Sequence, residues 1–399
     1  MKRAFLAFFG TLLLLTAMSW LLVGAFVVND VPGGWRTLAL LWALSVAPMV
    51  PFMGNLLRHG YPSAFMRRWV FRIFWYSQLN VLMLVPVTVA GFLVGLPFDA
   101  EPAVGRLAVL GGVVFEIGLA IAGYFGARRL VVMRLDARIP GLPAGLDGLR
   151  IVQLTDLHVG PQTSRAHLER IVAETRRAEP HVIAYTGDQV DDYPRDMEIF
   201  AECLGGLKAP LGVFAIAGNH DVYAGWSDVR RGLERMGVRV LVNDAVPLRH
   251  NGAEFWLAGT GDPAATAFER GPESPVPDIA RTLADIPVGA FHVVLAHNPL
   301  LWPALVQRGV PLTLSGHTHH GQLAIPALDW SLASPFLRHA MGAYVENGAL
   351  LYISAGANYW GIPFRIGCPP EVAVVTLRLA TDRPRIVQAA ELMSELSRA

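Results

Sequence analysis

Five short polar blocks, each placed directly after an apolar run, constrain this chain more than any other feature. Asp156-Leu157-His158 follows Arg150 to Leu154, and Gly187-Asp188 follows His181 to Tyr185. Gly218-Asn219-His220-Asp221 follows Val213 to Ala217, Ala296-His297-Asn298 follows Phe291 to Ala296, and Gly316-His317-Thr318-His319 follows Leu312 to Leu314. The apolar runs are short and bounded by turn residues, as buried strands are. In an open α/β sheet the carboxyl ends of such strands converge on one crevice. The fold must therefore gather carboxylates, imidazoles and an amide, the ligand types that hold two divalent metals. In an extended Asp-x-His segment, Asp156 and His158 are expected on the same side. The glycines before several of these residues allow tight turns beside them.

The remaining organisation follows from where the apolar residues lie. Of the 399 residues 53% are hydrophobic and 16% charged, with a mean hydropathy of +0.40. The excess sits in the first third. Stretches at about 4–28, 37–57, 73–97 and 107–127 are uncharged apart from Glu116. Each has about the 20 residues a membrane helix needs, and the first is too long for the apolar core of a signal peptide. Four transmembrane helices are expected in a membrane domain over 1–127. Lys2 and Arg3, then Arg58, Arg67, Arg68 and Arg72, then Arg128, Arg129, Arg134 and Arg138 occupy alternate loops. The positive-inside rule puts both termini and the large C-terminal domain on the cytoplasmic face of the inner (plasma) membrane. Glu116, mid-helix, is either functional or satisfied by a neighbouring helix, with Gln78 and Asn80 as candidate partners.

Residues 128–148, ending in Ile139-Pro-Gly-Leu-Pro-Ala-Gly, read as a basic Pro/Gly linker, and 149–399 as one catalytic domain. There strands alternate with helical patterns at Thr163 to Ala178, Asp196 to Leu207 and Asp228 to Met236, and the tail is strand-rich. The expected fold is α/β: a layered β-sandwich flanked by helices. Cys203 and Cys368 form no framework and read as free thiols. A net charge of +1 gives no reason to expect nucleic acid as a partner.

Two metals clamp the attacking and leaving oxygens of an in-line phosphoryl displacement and lower the pKa of water. Mixed N/O ligands suit Mn, Fe, Zn or Co better than Ca. The blocks resemble the calcineurin-like metallophosphoesterase superfamily, whose pattern is D-x-H, G-D-x-x-D, G-N-H-D/E, a lone His and G-H-x-H. The resemblance implies Asp156, His158 and His319 on one metal, Asn219, His297 and His317 on the other, and Asp188 as the bridge. It further implies His220 on the leaving-group side, with Asp221 orienting it, and Asp191 in a structural role. Arg150-Ile-Val-Gln-Leu-Thr-Asp-Leu-His, Gly316-His-Thr-His-His-Gly-Gln and Gly361-Ile-Pro-Phe-Arg-Ile-Gly-Cys-Pro-Pro-Glu371 are similar to the bacterial branch that includes the YkuE- and YaeI-like phosphodiesterases. His320 stands where that branch usually has Gly, and reads as solvent-facing or as a substrate contact.

Asp192 and Asp262 read as loop carboxylates, and Arg365 as a phosphate contact or a structural residue. Tyr223, Trp226, Trp330, Phe336, Trp360 and Phe364 fall in loops near the blocks, and Leu323 to Val345 is apolar for a loop. Aromatics at an interface would serve a lipid. The expected activity is hydrolysis of a phosphodiester or pyrophosphate bond in a lipid or nucleotide-linked lipid at the membrane. The rivals are a soluble nucleotide or phosphoprotein substrate, and a transporter or sensor regulated by a metal-binding domain.

Overall fold

The structure is a computed structural model that describes residues 2–388 except 29–30, 52–53, 55–62, 64, 161 and 269–272. It divides into two compact units, Met1–Ala122 and Gly123–Ala399.

The first unit is helical: Lys2–Val27, Gly34–Val46, Arg72–Gly95 and most of Glu101–Gly126. Among the described residues one stretch, Ala103–Gly126, is long and apolar enough to cross a membrane, with Gly10–Ala25 and Leu84–Phe98 as shorter apolar segments. The expected span at 37–57 is helical over Gly34–Val46, and 52–53 and 55–57 lie outside the described residues. Glu116 is buried, and neither carboxylate oxygen has a partner among the described residues. The side chains of Gln78 and Asn80 lie outside them.

The second unit is a sandwich of two sheets. The strands of the first are β1 (Val131–Pro140), β2 (Arg150–Leu154), β3 (Val182–Tyr185), β4 (Val213–Ala215), β5 (Arg239–Val240), β14 (Glu371–Ala380) and β15 (Arg385–Gln388). Those of the second are β6 (Asp244–His250), β7 (Ala253–Gly259), β8 (His292–Leu295), β9 (Leu312–Ser315), β12 (Gly342–Glu346) and β13 (Ala349–Ile353). A short hairpin joins β10 (Ala324–Ile325) to β11 (Trp330–Ser331). The orders are β15-β1-β14-β2-β3-β4-β5 and β12-β13-β9-β8-β7-β6. Strands β2 to β5 run parallel, as do β7, β8, β9 and β13.

The facing sides of the two sheets share one core of Ile151, Val182, Phe214, Leu257, Val293, Leu314, Tyr352 and Val375. The outer face of the first sheet is covered by helices Arg165–Arg177, Met197–Leu204 and Asn219–Arg235, through Leu168, Ile171, Phe200, Trp226 and Val229. The second is covered by the helix at Trp302–Gln307. Because β3 is buried on both faces, its sequence is a continuous apolar run rather than an alternation. Strand β2 departs from one only at half-buried Arg150 and at Gln153, whose buried amide bonds Thr186 and Ser315.

The segment read as a linker is corrected here. Val131–Pro140 is a full strand, pairing with β14 over its whole length. Leu135, Ala137 and Ile139 alternate inward, while Arg134, Asp136 and Arg138 take the other face. The charges and the Pro/Gly run after it mask a period-two pattern.

Candidate metal centre

All five blocks meet at one end of the sandwich, but not in the crevice of a single sheet. Asp156, Asp188 and Asn219 follow the adjacent parallel strands β2, β3 and β4, whereas His297 and His317 follow β8 and β9 of the other sheet. Backbone bonds tie the loops together: Asp156 N–H donates to Gly187 O (3.1 Å), His158 N–H to Asp188 O (3.0 Å) and Gly316 N–H to His297 O (3.0 Å).

Asp156 and His158 do not converge by strand alternation. Both are left-handed (φ 52° and 38°), as are Asp188 (52°), His317 (71°) and His319 (48°). Each such non-glycine residue costs about 1–2 kcal/mol. Strain concentrated on side chains that point at one another marks a site whose compensation lies in what it binds. Gly218 and Gly316 make this packing possible. A Cβ on Gly218 would meet the Asp188 carboxylate, and one on Gly316 the Asp156 carboxylate, in both cases closer than 3.0 Å.

The structure brings the expected ligands into two neighbouring groups. His158 Nε2 lies 2.9 Å from His319 Nε2, which lies 3.2 Å from Asp156 Oδ1. Asn219 Oδ1 lies 3.1 Å from His297 Nε2 and 2.7 Å from His317 Nδ1. Asp188 reaches both groups, with Oδ2 3.6 Å from His158 Nε2 and 3.3 Å from His297 Nε2. Asp156, His158 and His319 could hold one ion, and Asp156, Asp188 and His297 offer a second cluster. Two imidazole nitrogens face to face at 2.9 Å, with nearby carboxylates all buried, fit cations between them better than they fit one another. The residues present therefore fit a dinuclear divalent metal site, whose ions would supply Lewis-acid polarisation and a lowered water pKa.

The electrostatics agree for His317 and His319 and run the other way for His297. Burial opposes the charge of His297, but Asp188, Asp156 and Asp262 hold it well above the usual imidazole range. Burial lowers His317 to about 4, with His297 adding to it, and burial with Arg365 holds His319 well below the usual imidazole range. Both are then neutral, as ligation requires. Burial alone would raise the Asp188 carboxyl, but the imidazoles of His297, His220 and His158 outweigh it and hold it well below the carboxylate range.

His220 stands beside these ligands at the start of helix Asn219–Arg235, its N–H donating to Asp188 Oδ1 (2.8 Å). Burial opposes its charge, but Asp188, Asp192 and Asp191 push it up to about 10. The expected orienting role of Asp221 is corrected. Its carboxylate accepts the backbone N–H groups of Asp188, Gly218 and Gln189, each at 2.9 Å, and of Val190 at 3.3 Å. It braces the loop that carries Asp188. The ring of His220 instead has its Nδ1 2.8 Å from the Asp191 carbonyl and 3.3 Å from the Asp192 carboxylate. Asp191 also faces His158 Nδ1 at 3.3 Å.

Three further readings are decided. His320 is buried, its Nε2 3.0 Å from the Ile353 carbonyl, so it faces neither solvent nor the cluster. Arg365 is buried and grips His319 rather than a phosphate position. Asp262 lies in a loop, as read, and is buried there with Oδ2 unpartnered among the described residues. The spacing Gly187-Asp188-x-x-Asp191 is the local signal for Asp191. Asp192 and Arg365 are visible in the sequence, but their contacts with His220 and His319 come only through tertiary packing. Cys203 and Cys368 are free, as expected.

Residues 149–321 match the calcineurin-like phosphoesterase family. An uncharacterized metallophosphoesterase of Helicobacter pylori is 33% identical over 265 residues, covering 65% of this chain and 68% of that protein. The chain belongs to the calcineurin-like metallophosphoesterases. A zebrafish (Danio rerio) transmembrane protein with metallophosphoesterase domain is 34% identical over 297 residues, 71% of this chain and 66% of the relative's length. The uncharacterized metallophosphoesterase YkuE of Bacillus subtilis is 27% identical over 240 residues, 59% of this chain and 82% of that protein. Members of this family are hydrolases acting on phosphoric esters, and the His/Asp cluster is where this chain would hold their metals.

Proposed function

We propose that this metallophosphoesterase is membrane-attached and hydrolyses a phosphodiester or pyrophosphate bond carried by a lipid. In this reading four helices span the inner membrane and the site opens on the cytoplasmic face. Asp156, His158 and His319 would hold one cation and Asn219, His297 and His317 the other, with Asp188 within reach of both groups. His220, kept protonated by its carboxylate neighbours, donates to the leaving oxygen. The N-terminus of helix Asn219–Arg235 adds a favourable dipole for the phosphate.

The observation that carries the lipid assignment is the apolar rim of the site. Tyr223 and Trp360 are 43% and 51% exposed, with ring centroids 5.2 and 5.8 Å from that of His220. Phe268 packs on Tyr223 at 4.8 Å. The loop from Leu323 to Val345 exposes Leu328 and Phe336, at 71% and 82%. Apolar side chains left in water around a phosphate-handling site are matched by a substrate with an apolar body.

The test compares a diacylglycerol-linked pyrophosphate, a soluble nucleotide and bis(4-nitrophenyl) phosphate with the full-length protein in mixed micelles. The lipid should show the highest kcat/KM. A Leu328→Ser/Phe336→Ser double variant should lower the lipid-to-diester ratio by about tenfold or more, since each apolar side chain contributes roughly 1.5–3 kcal/mol when buried. A nucleotide turned over faster than the lipid would assign the aromatic rim to base stacking instead.

A further inference from the structure

His319 is held differently from the other imidazoles of the cluster. His297 Nδ1 meets the Thr186 carbonyl at 2.8 Å, and His220 Nδ1 meets that of Asp191, so each can donate outward as metal-site histidines commonly do. His319 Nδ1 instead lies 2.8 Å from Arg365 Nη2. A guanidinium has only donors, and a neutral imidazole that ligates through Nε2 keeps its proton on Nδ1, so the grip that survives ligation is the one on the main chain of His319. Arg365 Nη1 also donates to the His319 carbonyl at 2.8 Å, and Nη2 to the Asn358 carbonyl. One buried side chain thus fixes the main chain of a ligand that is itself left-handed. Asn358 continues the clamp, its Nδ2 donating to the Leu157 carbonyl between Asp156 and His158 (2.9 Å).

The main chain of Arg365 is fixed from its other side. Its N–H donates to the Gly123 carbonyl at 2.9 Å. A Cβ on Gly126 would fall closer than 3.0 Å to the Arg365 carbonyl oxygen, and one on Gly123 would strike the Phe364 ring. Only glycine permits this approach of backbone to backbone. Gly123 to Gly126 is the last turn of helix Glu101–Gly126, and it lies within the second unit. That same helix carries the stretch long and apolar enough to cross a membrane.

We propose that Arg365 is a positioning residue for the metal ligand His319, and that through it metal retention answers to the last turn of helix Glu101–Gly126. The inference rests on the two-metal reading above. A displaced helix end moves the Arg365 main chain, and the guanidinium carries the displacement to the carbonyl of His319. The helix then acts on the chemistry as well as attaching the domain.

The experiment measures Mn²⁺ binding to the full-length protein in detergent, by titration calorimetry and by the electron paramagnetic resonance of free Mn²⁺. Arg365→Met, Arg365→Lys and Gly126→Ala should each weaken one of two sites by about 10–100-fold, the range for outer partners of metal ligands. The second site should hold near wild-type affinity, and near-UV circular dichroism at saturating Mn²⁺ should match wild type. Wild-type affinity at both sites in a folded Arg365→Met protein overturns the positioning role. If that variant does not fold, Arg365→Lys, which keeps the charge but loses the two-pronged grip, decides the same question. Weakened binding in the Arg365 variants with unchanged binding in Gly126→Ala overturns the link to the helix. Wild-type protein that binds fewer than two Mn²⁺ ions sinks the two-metal reading, and this inference with it.

Discussion

Asp221→Asn separates two accounts of a residue that sequence alone assigns to His220. In the structure Asp221 is fully buried, and its carboxylate divides evenly. Oδ2 takes the N–H groups of Asp188 and Gly218, both at 2.9 Å, and Oδ1 takes those of Gln189 at 2.9 Å and Val190 at 3.3 Å. Asparagine fills the same volume but has one accepting oxygen. Whichever way the amide sits, its NH₂ points at two N–H donors and two bonds are lost. A hydrogen bond to a charged group contributes about 1.5–3 kcal/mol, so the substitution should destabilise the domain by roughly 3–6 kcal/mol. For a domain of this size that corresponds to a fall in Tm on the order of 10 °C. One lost partner is the N–H of Asp188 or its neighbour, so Mn²⁺ affinity should fall as well. The assay is thermal unfolding by near-UV circular dichroism at fixed excess Mn²⁺, together with a pH–rate profile. A Tm within about 2 °C of wild type, accompanied by a shifted alkaline limb, would refute the bracing role and restore the orienting one.

Four further outcomes are expected. His220→Ala should slow hydrolysis by about 10²–10⁴-fold with an alkoxide leaving group and much less with 4-nitrophenolate; equal losses on both would remove it as the proton donor. Asp192→Asn should move the alkaline limb of the rate profile to lower pH. The raised pKa of His220 keeps its proton available below about 10 and loses it as pH rises through that value, and Asp192 is one of the carboxylates raising it; an unmoved limb contradicts this. Gly218→Ala places a methyl group against the Asp188 carboxylate and should cost about 1–3 kcal/mol with loss of turnover, read by melting and by metal content. Chelation should abolish hydrolysis of bis(4-nitrophenyl) phosphate and lower Tm, since ligand at 100 times Kd stabilises by about 2.7 kcal/mol; a rate and Tm indifferent to chelator would refute metal dependence.

Much of the site is legible in the chain because strand-end motifs are local. A ligand and the strand that delivers it lie within a few residues, so Asp156, Asp188, Asn219, His297 and His317 can be named from the order of residues alone. What local pattern misassigns is set at long range. Asp221 sits next to His220 in sequence, but helix geometry turns its carboxylate back onto the Asp188 loop, and the nearest acids to the His220 ring come from Asp191 and Asp192. Strand β1 escapes a reading by composition because Arg134, Asp136 and Arg138 break up its apolar residues and a Pro/Gly run follows it, while its burial depends on β14, which lies more than two hundred residues away. His320 looks like an addition to a ligand motif, yet its left-handed backbone aims it at the carbonyl of β13.

The sequence by itself determined the kind of chemistry, since five ligand-bearing blocks after apolar runs admit few uses. It also determined the layered α/β class and the apolar character of the first third. Only the tertiary structure decided which side chains meet. Two sheets, not one, supply the ligands, because the sandwich stacks the ends of β2, β3 and β4 against those of β8 and β9. Arg365 joins the centre because a buried guanidinium must find acceptors, and those nearest it belong to His319 and Asn358. Pairing across such distances is set by packing and by hydrogen-bond satisfaction in the folded chain, which no local pattern encodes.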